Sequence, residues 1–434
     1  MMSCQSFREM HLMVVCCCLL VLLAACSPQS PSGTSGGQTQ EPTQSSTKAP
    51  TMTAQTSCPP AGTARAAVMP SLAEGSHANF VYVFQSFNYY QYQGASLQDV
   101  TSFLKQYDVT SGVKAVIATL PHSRIDSYSA SISPDGQWIV FETYTDVHPF
   151  SNGAFITMLE LVRIDGHYLQ TLFCGSITLP GLFPDNYAPA TSWSPDQKQL
   201  LFNQYESGLK LNLLNLSSGN LQVMVSSNFS LGLSPSRWLD TTRALVSTYT
   251  GPPGGPGLLV LDTSKGPDQQ ETSLQTILSE QTCQDYAFSP DTTQLYVAHC
   301  IYTNAGDTGP STISVESLPG GTWKTIYTSQ QLALCSIGLI SSASLLLDAC
   351  NMDSNTSQNE LWKINTDGTG LTRLQIGSDF TGLPVFAPDG NTYIIQNSNS
   401  TQLLIGLLNG GAPKTFATTQ GTDGEVKVVG WTTI

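Results

Sequence analysis

The chain has 434 residues, 40% of them hydrophobic, so it can bury a substantial core and is not disordered throughout. Only 11% of the residues are charged, against roughly 25% in an average soluble protein, and the net charge is −14 without a long Lys/Arg run. This balance argues against nucleic acid as a partner and against electrostatic docking on anionic lipid.

The N-terminal segment resembles an export signal. Residues 12–25 form an uncharged apolar run that is too short for a transmembrane helix, which needs about 20 apolar residues. The run ends in Leu23-Ala24-Ala25-Cys26, which resembles the lipobox of bacterial lipoproteins. The resemblance implies a signal peptide over residues 1–25 and a lipid-modified Cys26 as the mature N-terminus. An ordinary signal peptide cut elsewhere, or an uncleaved anchor, is the alternative.

Residues 26–57 are rich in Ser, Thr, Pro, Gly and Gln. Such a segment cannot bury enough apolar surface to offset its chain entropy, so we predict a flexible tether. The tether would connect the membrane to a folded domain over residues 58–434. We therefore expect an extracytoplasmic protein that is lipid-anchored to the cell membrane or, in a cell with two membranes, to the outer membrane.

One short phrase recurs along the folded part. It reads Ser-Pro-Asp-Gly or a close variant, and its copies begin at Ser133, Ser194, Ser289 and Ala387, with Ser234-Pro235 as a degenerate copy. Strand-forming residues lie on both sides, and Pro, Asp and Gly suit successive positions of a tight turn. The phrase therefore predicts a β-hairpin in each repeat, and the spacing predicts a further hairpin near residue 340 without the proline.

Repeats of roughly 40–60 residues that are built from short strands are typical of propeller blades. The phrase resembles the repeat of TolB-like β-propellers, which are related to WD-repeat proteins, and an Asp-Gly hairpin over residues 361–374 resembles the outer hairpin of that family. Strands near residues 80–84, 104–109 and 114–118 would form a first blade that the C-terminal strand at 426–434 completes. We therefore predict an all-β, seven-bladed propeller; six blades, as in TolB itself, is the alternative.

Six cysteines follow the predicted tether, an even number for an oxidising compartment. Two pairs bracket predicted hairpins, and the last two cysteines are left over. The predicted disulfides are Cys283–Cys300, Cys335–Cys350 and Cys58–Cys174. Free buried cysteines are the alternative, and the absence of Cys-x-x-Cys spacing argues against a metal site.

Catalytic motifs are scarce in this sequence. The Gly-x-Ser-x-Gly match at residues 33–37 lies in the tether rather than on a strand-to-helix turn. The aspartates of the repeated phrase are interpreted as turn residues: Asp135, Asp196, Asp291 and Asp389. We expect no cofactor, no metal and no enzyme activity. The alternative is a glycan hydrolase or lyase with acids at the central channel, where Asp285, Asp423 and Glu425 are the candidates.

A cluster of aromatic residues follows the first strand, with amide side chains among them. Its members are Phe87, Tyr89, Tyr90 and Tyr92. Such a cluster can stack on sugars or grip an extended peptide, although simple strand packing is the alternative. Residues 144–160 and 175–190 are predicted to form long loops, which are either binding loops or inert insertions. The sequence therefore predicts a monomeric binding or scaffold module for an unknown protein or glycan partner.

Overall fold

The computed structural model describes residues 62–86, 100–145, 154–178, 190–205, 208–227, 232–249, 256–266, 274–281, 283–303, 306–351, 359–376, 380–419 and 424–434. These residues form seven four-stranded antiparallel sheets, each of which is one blade of a propeller. Within them, no helix has the length and apolarity needed to cross a membrane. The predicted signal peptide, Cys26, the tether and Cys58 lie outside the described residues.

The strands follow one another from the inner to the outer position of each blade, except in blade 1. Blade 1 contains β1 (Asn79–Gln85), β2 (Thr101–Asp108) and β3 (Lys114–Pro121), with the last strand, β28 (Glu425–Thr432), in the inner position. Blades 2 to 4 contain β4 (Ser123–Ile132), β5 (Trp138–Thr145), β6 (Ala154–Arg163), β7 (Gln170–Thr178), β8 (Thr191–Trp193), β9 (Gln199–Tyr205), β10 (Leu209–Asn215), β11 (Leu221–Ser227), β12 (Gly232–Trp238), β13 (Arg243–Tyr249), β14 (Gly257–Asp262) and β15 (Leu274–Leu278). Blades 5 to 7 contain β16 (Gln284–Phe288), β17 (Gln294–Thr303), β18 (Gly306–Ser317), β19 (Lys324–Ser329), β20 (Leu332–Ser341), β21 (Ser344–Asn351), β22 (Asn359–Asn365), β23 (Thr372–Arg373), β24 (Thr381–Phe386), β25 (Thr392–Gln396), β26 (Gln402–Leu407) and β27 (Lys414–Thr418).

The two ends of the described chain meet in blade 1 and close the ring. Strand β28 pairs antiparallel with β1, and Phe80 lies opposite Trp431 while Gln85 lies opposite Glu425. This pairing covers edges that would otherwise be open on both strands. The predicted seven-bladed ring with a C-terminal closing strand is therefore confirmed, and the six-bladed alternative is wrong.

The repeated phrase forms the hairpin between the inner and second strands, as predicted. In blade 2 the Ser133 hydroxyl donates to Asp135 Oδ1 at 2.5 Å and accepts from the Trp138 amide at 2.9 Å. The same two bonds recur in blades 3 and 5, at Ser194 and Ser289. The aspartates therefore act inside their turns, where they accept backbone amides that the hairpin leaves unpaired.

The prediction of a turn at Ser234-Pro235 is wrong. Both residues lie inside the inner strand β12, and the turn follows at residues 239–242, where Asp240 accepts the amides of Thr242 and Arg243 at 2.8 Å each. The inner strand is a sheet edge, so a proline there leaves no ladder hydrogen bond unmade.

The prediction of a long loop over residues 144–160 is also wrong at both ends. Strand β5 continues to Thr145 and β6 begins at Ala154. The predicted loop over residues 175–190 is also too long at its start, because β7 continues to Thr178. The stretch that begins at residue 154 is rich in Phe, Ile, Met and Leu, which favour a strand.

All inner strands run in the same direction, and repeated indole bonds fix their relative height. The Trp193 indole donates to the Ser131 carbonyl of the preceding blade, and Trp238 and Trp431 make the same bond to Ser192 and Val385. The propeller therefore has two distinct ends. We call the end where inner strands begin the loop face, and the opposite end, which carries the repeated hairpins and the outer turns between third and fourth strands, the turn face.

Residues 62–78, which we call the strap, cross the turn face from blade 3 to blade 1. The Ala64 amide donates to the Leu216 carbonyl at 2.7 Å, the Leu72 amide to the Gln137 side chain at 2.6 Å, and the Gly75 amide to the Thr433 carbonyl at 2.6 Å. A 3-10 helix at Arg65–Ala67 lies within the strap. Sequence reasoning missed this segment because a strap without strand periodicity has no local pattern.

Aromatic packing between blades 1 and 7 supports the closing pair of strands. The Phe80 ring is fully buried and lies 5.1 Å from the Trp431 ring and 6.0 Å from the Phe416 ring, between centroids. These contacts join the inner strand, its neighbour and the outer strand of the adjacent blade. A substitution of Phe80 therefore tests how much this packing stabilises the closed ring.

We expect Phe80→Ala to lower the free energy of unfolding by about 3–5 kcal/mol, because it opens a cavity at the closing seam. Urea denaturation followed by far-ultraviolet circular dichroism measures the change. Leu407→Ala is the matched control, since Leu407 is 50% exposed and should change stability by less than about 0.5 kcal/mol. Equal effects of the two substitutions would contradict the prediction.

Candidate functional site

The predicted binding and catalytic residues divide into two groups. The aromatic cluster Phe87, Tyr89, Tyr90 and Tyr92 lies outside the described residues, as does Asp423. Glu425 is the first residue of β28 and Asp285 is the second residue of β16. Both therefore lie on inner strands at the loop face, and their role at the central channel stays a prediction.

The cysteines support an oxidising compartment. A disulfide joins Cys283 and Cys300 with a Cα–Cα distance of 5.3 Å, and the Cys300 amide donates to the Cys283 carbonyl at 2.9 Å. Cys174 is also disulfide-bonded, whereas Cys335 and Cys350 lie on the neighbouring strands β20 and β21. The pairs Cys335–Cys350 and Cys58–Cys174 stay predictions. The disulfides indicate an extracytoplasmic protein.

A chain of charged side chains connects the inner strands of blades 1 and 2. Lys427 Nζ lies 3.3 Å from Glu425 Oε1, and Arg124 Nη2 lies 4.0 Å from Glu425 Oε2. All three side chains are largely buried. Removal of Glu425 would take the carboxylate away from both buried cations, so this chain helps to fix how the two blades meet.

A pair of acids lies beside Arg124 on the face of blade 2 that packs against blade 3. Asp126 on β4 and Glu142 on β5 are directly opposite in register and are only 5% and 6% exposed. The Tyr144 hydroxyl donates to Asp126 Oδ2 at 2.9 Å. Burial raises the pKa of the Glu142 carboxyl well above its usual value, and the nearby Asp126 carboxylate raises it further.

Two adjacent carboxyls of which one holds a proton can exchange protons with a substrate. Here Tyr144 packs among Leu201, Leu209 and other buried residues of blade 3, which closes the space beside the pair. The Ser129 hydroxyl also fixes the backbone of the acid pair. This hydroxyl donates to the Asp126 carbonyl at 2.7 Å and accepts from the Glu142 amide at 2.7 Å. The arrangement therefore ties strands and blades together. Sequence reasoning missed it because the two acids meet only through strand register.

Asp285 makes a similar tie between blades 5 and 6. Its Oδ2 accepts the Ile337 amide at 3.0 Å, and its Oδ1 accepts the Tyr286 amide at 2.9 Å. Burial raises the pKa of Asp285 to about 6, although these hydrogen bonds oppose the rise. Among the described residues, no group of three or more His, Cys, Asp and Glu is arranged to hold a metal ion.

Acids lie on both faces. On the turn face some have cationic neighbours: Arg163 Nη2 lies 2.6 Å from Asp165 Oδ2 and Arg243 Nε lies 2.7 Å from Asp240 Oδ2. Asp367 and Asp389 instead accept hydrogen bonds within their turns. The segments outside the described ranges that join strand ends at the loop face contain seven Asp or Glu residues and no Lys or Arg. The segment 267–273 of the turn face, also outside the described ranges, likewise contains two acids and no Lys or Arg.

The pKa of Asp285 predicts a pH-dependent effect of Asp285→Asn. A raised pKa means that the folded protein binds the proton more tightly, so this stabilisation is present below pH 4 and is lost as the pH rises through about 6. Asn imitates the neutral acid, and we expect its stability relative to the wild type to increase by roughly 2–3 kcal/mol between pH 4 and pH 8. Urea denaturation at each pH measures it.

Asp291→Asn is the control with the opposite sign. Hydrogen bonds from Ser289 and Thr293 lower the pKa of Asp291 to about 2, so its contribution is present above pH 4 and is lost as the pH falls through about 2. The stability of this variant relative to the wild type should therefore fall between pH 2 and pH 4 and stay level above. A level difference for Asp285→Asn from pH 4 to pH 8 would contradict the assigned pKa.

Comparisons with known proteins give structural likeness alone. No family model and no curated protein matches the chain. TolB from Acinetobacter baumannii has a TM-score of 0.44 at 16% identity and covers 81% of this chain and 82% of its own. The periplasmic gluconolactonase PpgL from Pseudomonas aeruginosa has 0.49 at 14% (80% and 99%), and oligogalacturonate lyase from Vibrio parahaemolyticus has 0.49 at 12% (73% and 84%). The sheet order shows a seven-bladed β-propeller, and these solved structures are similar to the chain in fold alone.

Proposed function

We propose that the chain is a lipid-anchored extracytoplasmic propeller that acts as a non-catalytic binding or scaffold module for a protein or envelope-polymer partner. The observation that carries this proposal is the difference between the two faces. The described acids of the turn face hydrogen-bond within their turns or lie beside cations. The loop face carries most of the longer connections, which contain seven acids and no Lys or Arg, and it is the surface offered to a partner.

The position of the chain entry supports this assignment. The strap begins at the turn face beside blade 3, where the Thr63 hydroxyl donates to the Ser217 carbonyl at 2.8 Å. A tether that is anchored through Cys26 would therefore leave from the face opposite the loops. The partner surface is then free of the anchor, as a scaffold on a membrane requires.

The acids that could support an enzyme have structural duties instead. Asp126 and Glu142 are buried and Asp285 is partly buried, and the contacts described above are all to neighbouring strands and blades. A glycan chain could reach Asp126 and Glu142 only if blades separated. The hydrolase or lyase reading remains the second candidate, because Glu142 and Asp126 are an adjacent acid pair with a raised pKa at Glu142.

The anchor is tested by Cys26→Ser. We expect the wild-type chain to fractionate with membranes and to incorporate labelled fatty acid, and the variant to lose both properties. Cys174→Ser, which keeps the lipobox, is the control and should retain the lipid. Membrane retention of Cys26→Ser together with unchanged lipid labelling would contradict lipidation at Cys26.

Partner binding is tested by capture from solubilised envelope with residues 58–434 as bait. We expect one defined protein or polymer to be enriched and the enrichment to be lost in the triple variant Tyr89→Ala/Tyr90→Ala/Tyr92→Ala. Tyr168→Ala is the matched control, because Tyr168 is an exposed aromatic residue on the turn face. Capture should also weaken as salt rises, since the negative loop face would attract a cationic partner.

The same experiment separates the two candidate functions. A captured polymer that returns intact supports the binding module. A polymer that returns shortened, with the shortening abolished by Asp126→Asn or Glu142→Gln in a variant that still captures it, would move the assignment to the enzyme. Loss of capture in Tyr168→Ala but not in the triple variant would place binding on the turn face and contradict the proposed binding surface.

A further inference from the structure

A serine, a histidine and an aspartate form a chain of hydrogen bonds where the strap meets blade 1. The Ser76 hydroxyl lies 3.1 Å from His77 Nδ1, and His77 Nε2 lies 2.9 Å from Asp108 Oδ1. A hydroxyl that is bonded to an imidazole, which a carboxylate orients in turn, is the arrangement that activates a serine nucleophile. This group is separate from the acids of the inner strands described above.

A bend at the end of the strap brings the serine and the histidine together. The backbone bends at residues 76–77, whereas an extended strand would point consecutive side chains to opposite sides. Just before the bend, the Gly75 amide donates to the Thr433 carbonyl at 2.6 Å, and a Cβ at Gly75 would lie only 2.7 Å from that oxygen. Just after it, Asn79 begins β1 and lies opposite Asp108 in register. The bend is therefore held on both sides, and the histidine lies at the end of β2.

The ionisation of Asp108 decides which nitrogen of the histidine carries the proton. Hydrogen bonds from the Ser111 amide and hydroxyl, and then from the Thr110 amide, lower the pKa of the Asp108 carboxyl to about 2. An ionised carboxylate can only accept, so His77 donates through its Nε2–H, and the neutral ring then carries its lone pair on Nδ1. The Ser76 hydroxyl therefore donates to Nδ1, which is the nitrogen that can take its proton.

The serine hydroxyl is open to solvent. Ser76 is exposed, and the side chains of His77 and Asp108 are 36% and 31% exposed, so a small reagent can reach the hydroxyl while the blades stay in place. This distinguishes the group from Asp126 and Glu142, which lie buried between blades. In an open site water supplies much of the stabilisation of an attacked carbonyl oxygen, so the acyl donor must bring a good leaving group.

We propose that Ser76 is an acyl-acceptor site, at which the hydroxyl takes an acyl group from an activated ester or thioester. In this step Oγ forms a bond to the acyl carbon, and the bond from that carbon to the leaving oxygen or sulfur breaks. The Oγ proton passes to His77 Nδ1 and then to the leaving group, which departs as an alcohol or a thiol. Asp108 is a positioning residue, because it orients the imidazole and stabilises its cationic form.

The product is an ordinary serine ester, whose alkoxide is a much poorer leaving group than that of the donor, so we expect the acyl group to remain on the serine. The site is thus a place of covalent modification that needs no turnover, in keeping with a non-catalytic module. It lies on the turn face beside the start of β1, away from the loop connections offered to a partner. The inference therefore stands or fails separately from the proposed binding function.

Acetylation by p-nitrophenyl acetate tests the site. The full chain is purified in detergent and mixed with the ester, release of p-nitrophenolate is followed by absorbance, and mass spectrometry identifies the acetylated peptide. We expect a burst of about one equivalent per chain, with the acetyl group on Ser76, and Ser76→Ala should remove it. Ser264→Ala is the matched control and should keep the burst, because the exposed Ser264 hydroxyl donates to Asp262 Oδ1 at 2.6 Å rather than to a histidine.

The histidine is tested with a control of its own. His77→Gln can keep a hydrogen bond to Asp108 but cannot take the proton, so we expect acetylation of Ser76 to slow by at least about tenfold. His167→Gln is the matched control and should leave the rate unchanged, since His167 also lies beside an acid, with its Nδ1 3.3 Å from Asp165 Oδ2. Near-ultraviolet circular dichroism verifies that each variant is folded.

Asp108→Asn separates the charge of the aspartate from its structural contacts. The Asn oxygen can accept the same hydrogen bonds, so nitrogen NMR shifts of the imidazole should show His77 still protonated on Nε2. The charge that stabilises the imidazolium is lost, and acetylation should slow by at least about threefold. A merely structural role for Asp108 would leave the rate unchanged while the ring stays in place.

Three results would overturn the proposal in whole or in part. Acetylation of Ser76 that is no faster than that of Ser264 would make Ser76 an ordinary surface hydroxyl. Acetylation of Ser76 that His77→Gln leaves unchanged would show that the histidine does not act as its base. An unchanged rate in Asp108→Asn would remove the role assigned to the aspartate.

Discussion

The structure depends on the antiparallel pairing of β28 with β1. Each blade is a small sheet whose inner strand has an open edge, and the blades form a stable body only because the ring is continuous. The pair from Phe80–Trp431 to Gln85–Glu425 makes blade 1 from the two ends of the described chain. The rings of Phe80, Trp431 and Phe416 then bury the seam, so closure and core formation occur in the same place.

The closed ring explains why buried acids are numerous in a protein with few charged residues. Neighbouring blades contact each other along inner strands, where backbone groups and polar side chains face the next blade instead of a partner strand. Asp285 accepts an amide of blade 6, Glu425 reaches Arg124 of blade 2, and Gln85 donates to the Ile125 carbonyl at 3.0 Å. Buried polar groups are tolerated when they are hydrogen-bonded, and here the bonds specify how each blade sits against the next.

The architecture could be predicted from the sequence because each blade repeats the same short turn sequences. The Ser-Pro-Asp phrase marks a turn through bonds within five residues, and the Asp-Gly outer turns mark another. Gly166 and Gly368 have positive φ, and because they lack a Cβ both turns pack on the backbone of the preceding blade. The turn after β12 was not predicted because Asp240 accepts the turn amides there without the proline. The Asp126–Glu142 pair and the strap were not predicted because they depend on strand register and on contacts between distant segments, which no local pattern encodes.

The strap has a mechanical consequence for an anchored protein. A pull on the N-terminal tether first loads the predicted disulfide between Cys58 and Cys174 on β7. Beyond that bridge, the Thr63 and Ala64 bonds to blade 3, the Leu72 bond to blade 2 and the Gly75 bond to the C-terminal residues lie before β1. The load is thus applied to blade 2, away from the seam between β1 and β28. With the bridge reduced, tension from the membrane side would strip the strap bond by bond before it could peel the strand that keeps the ring closed.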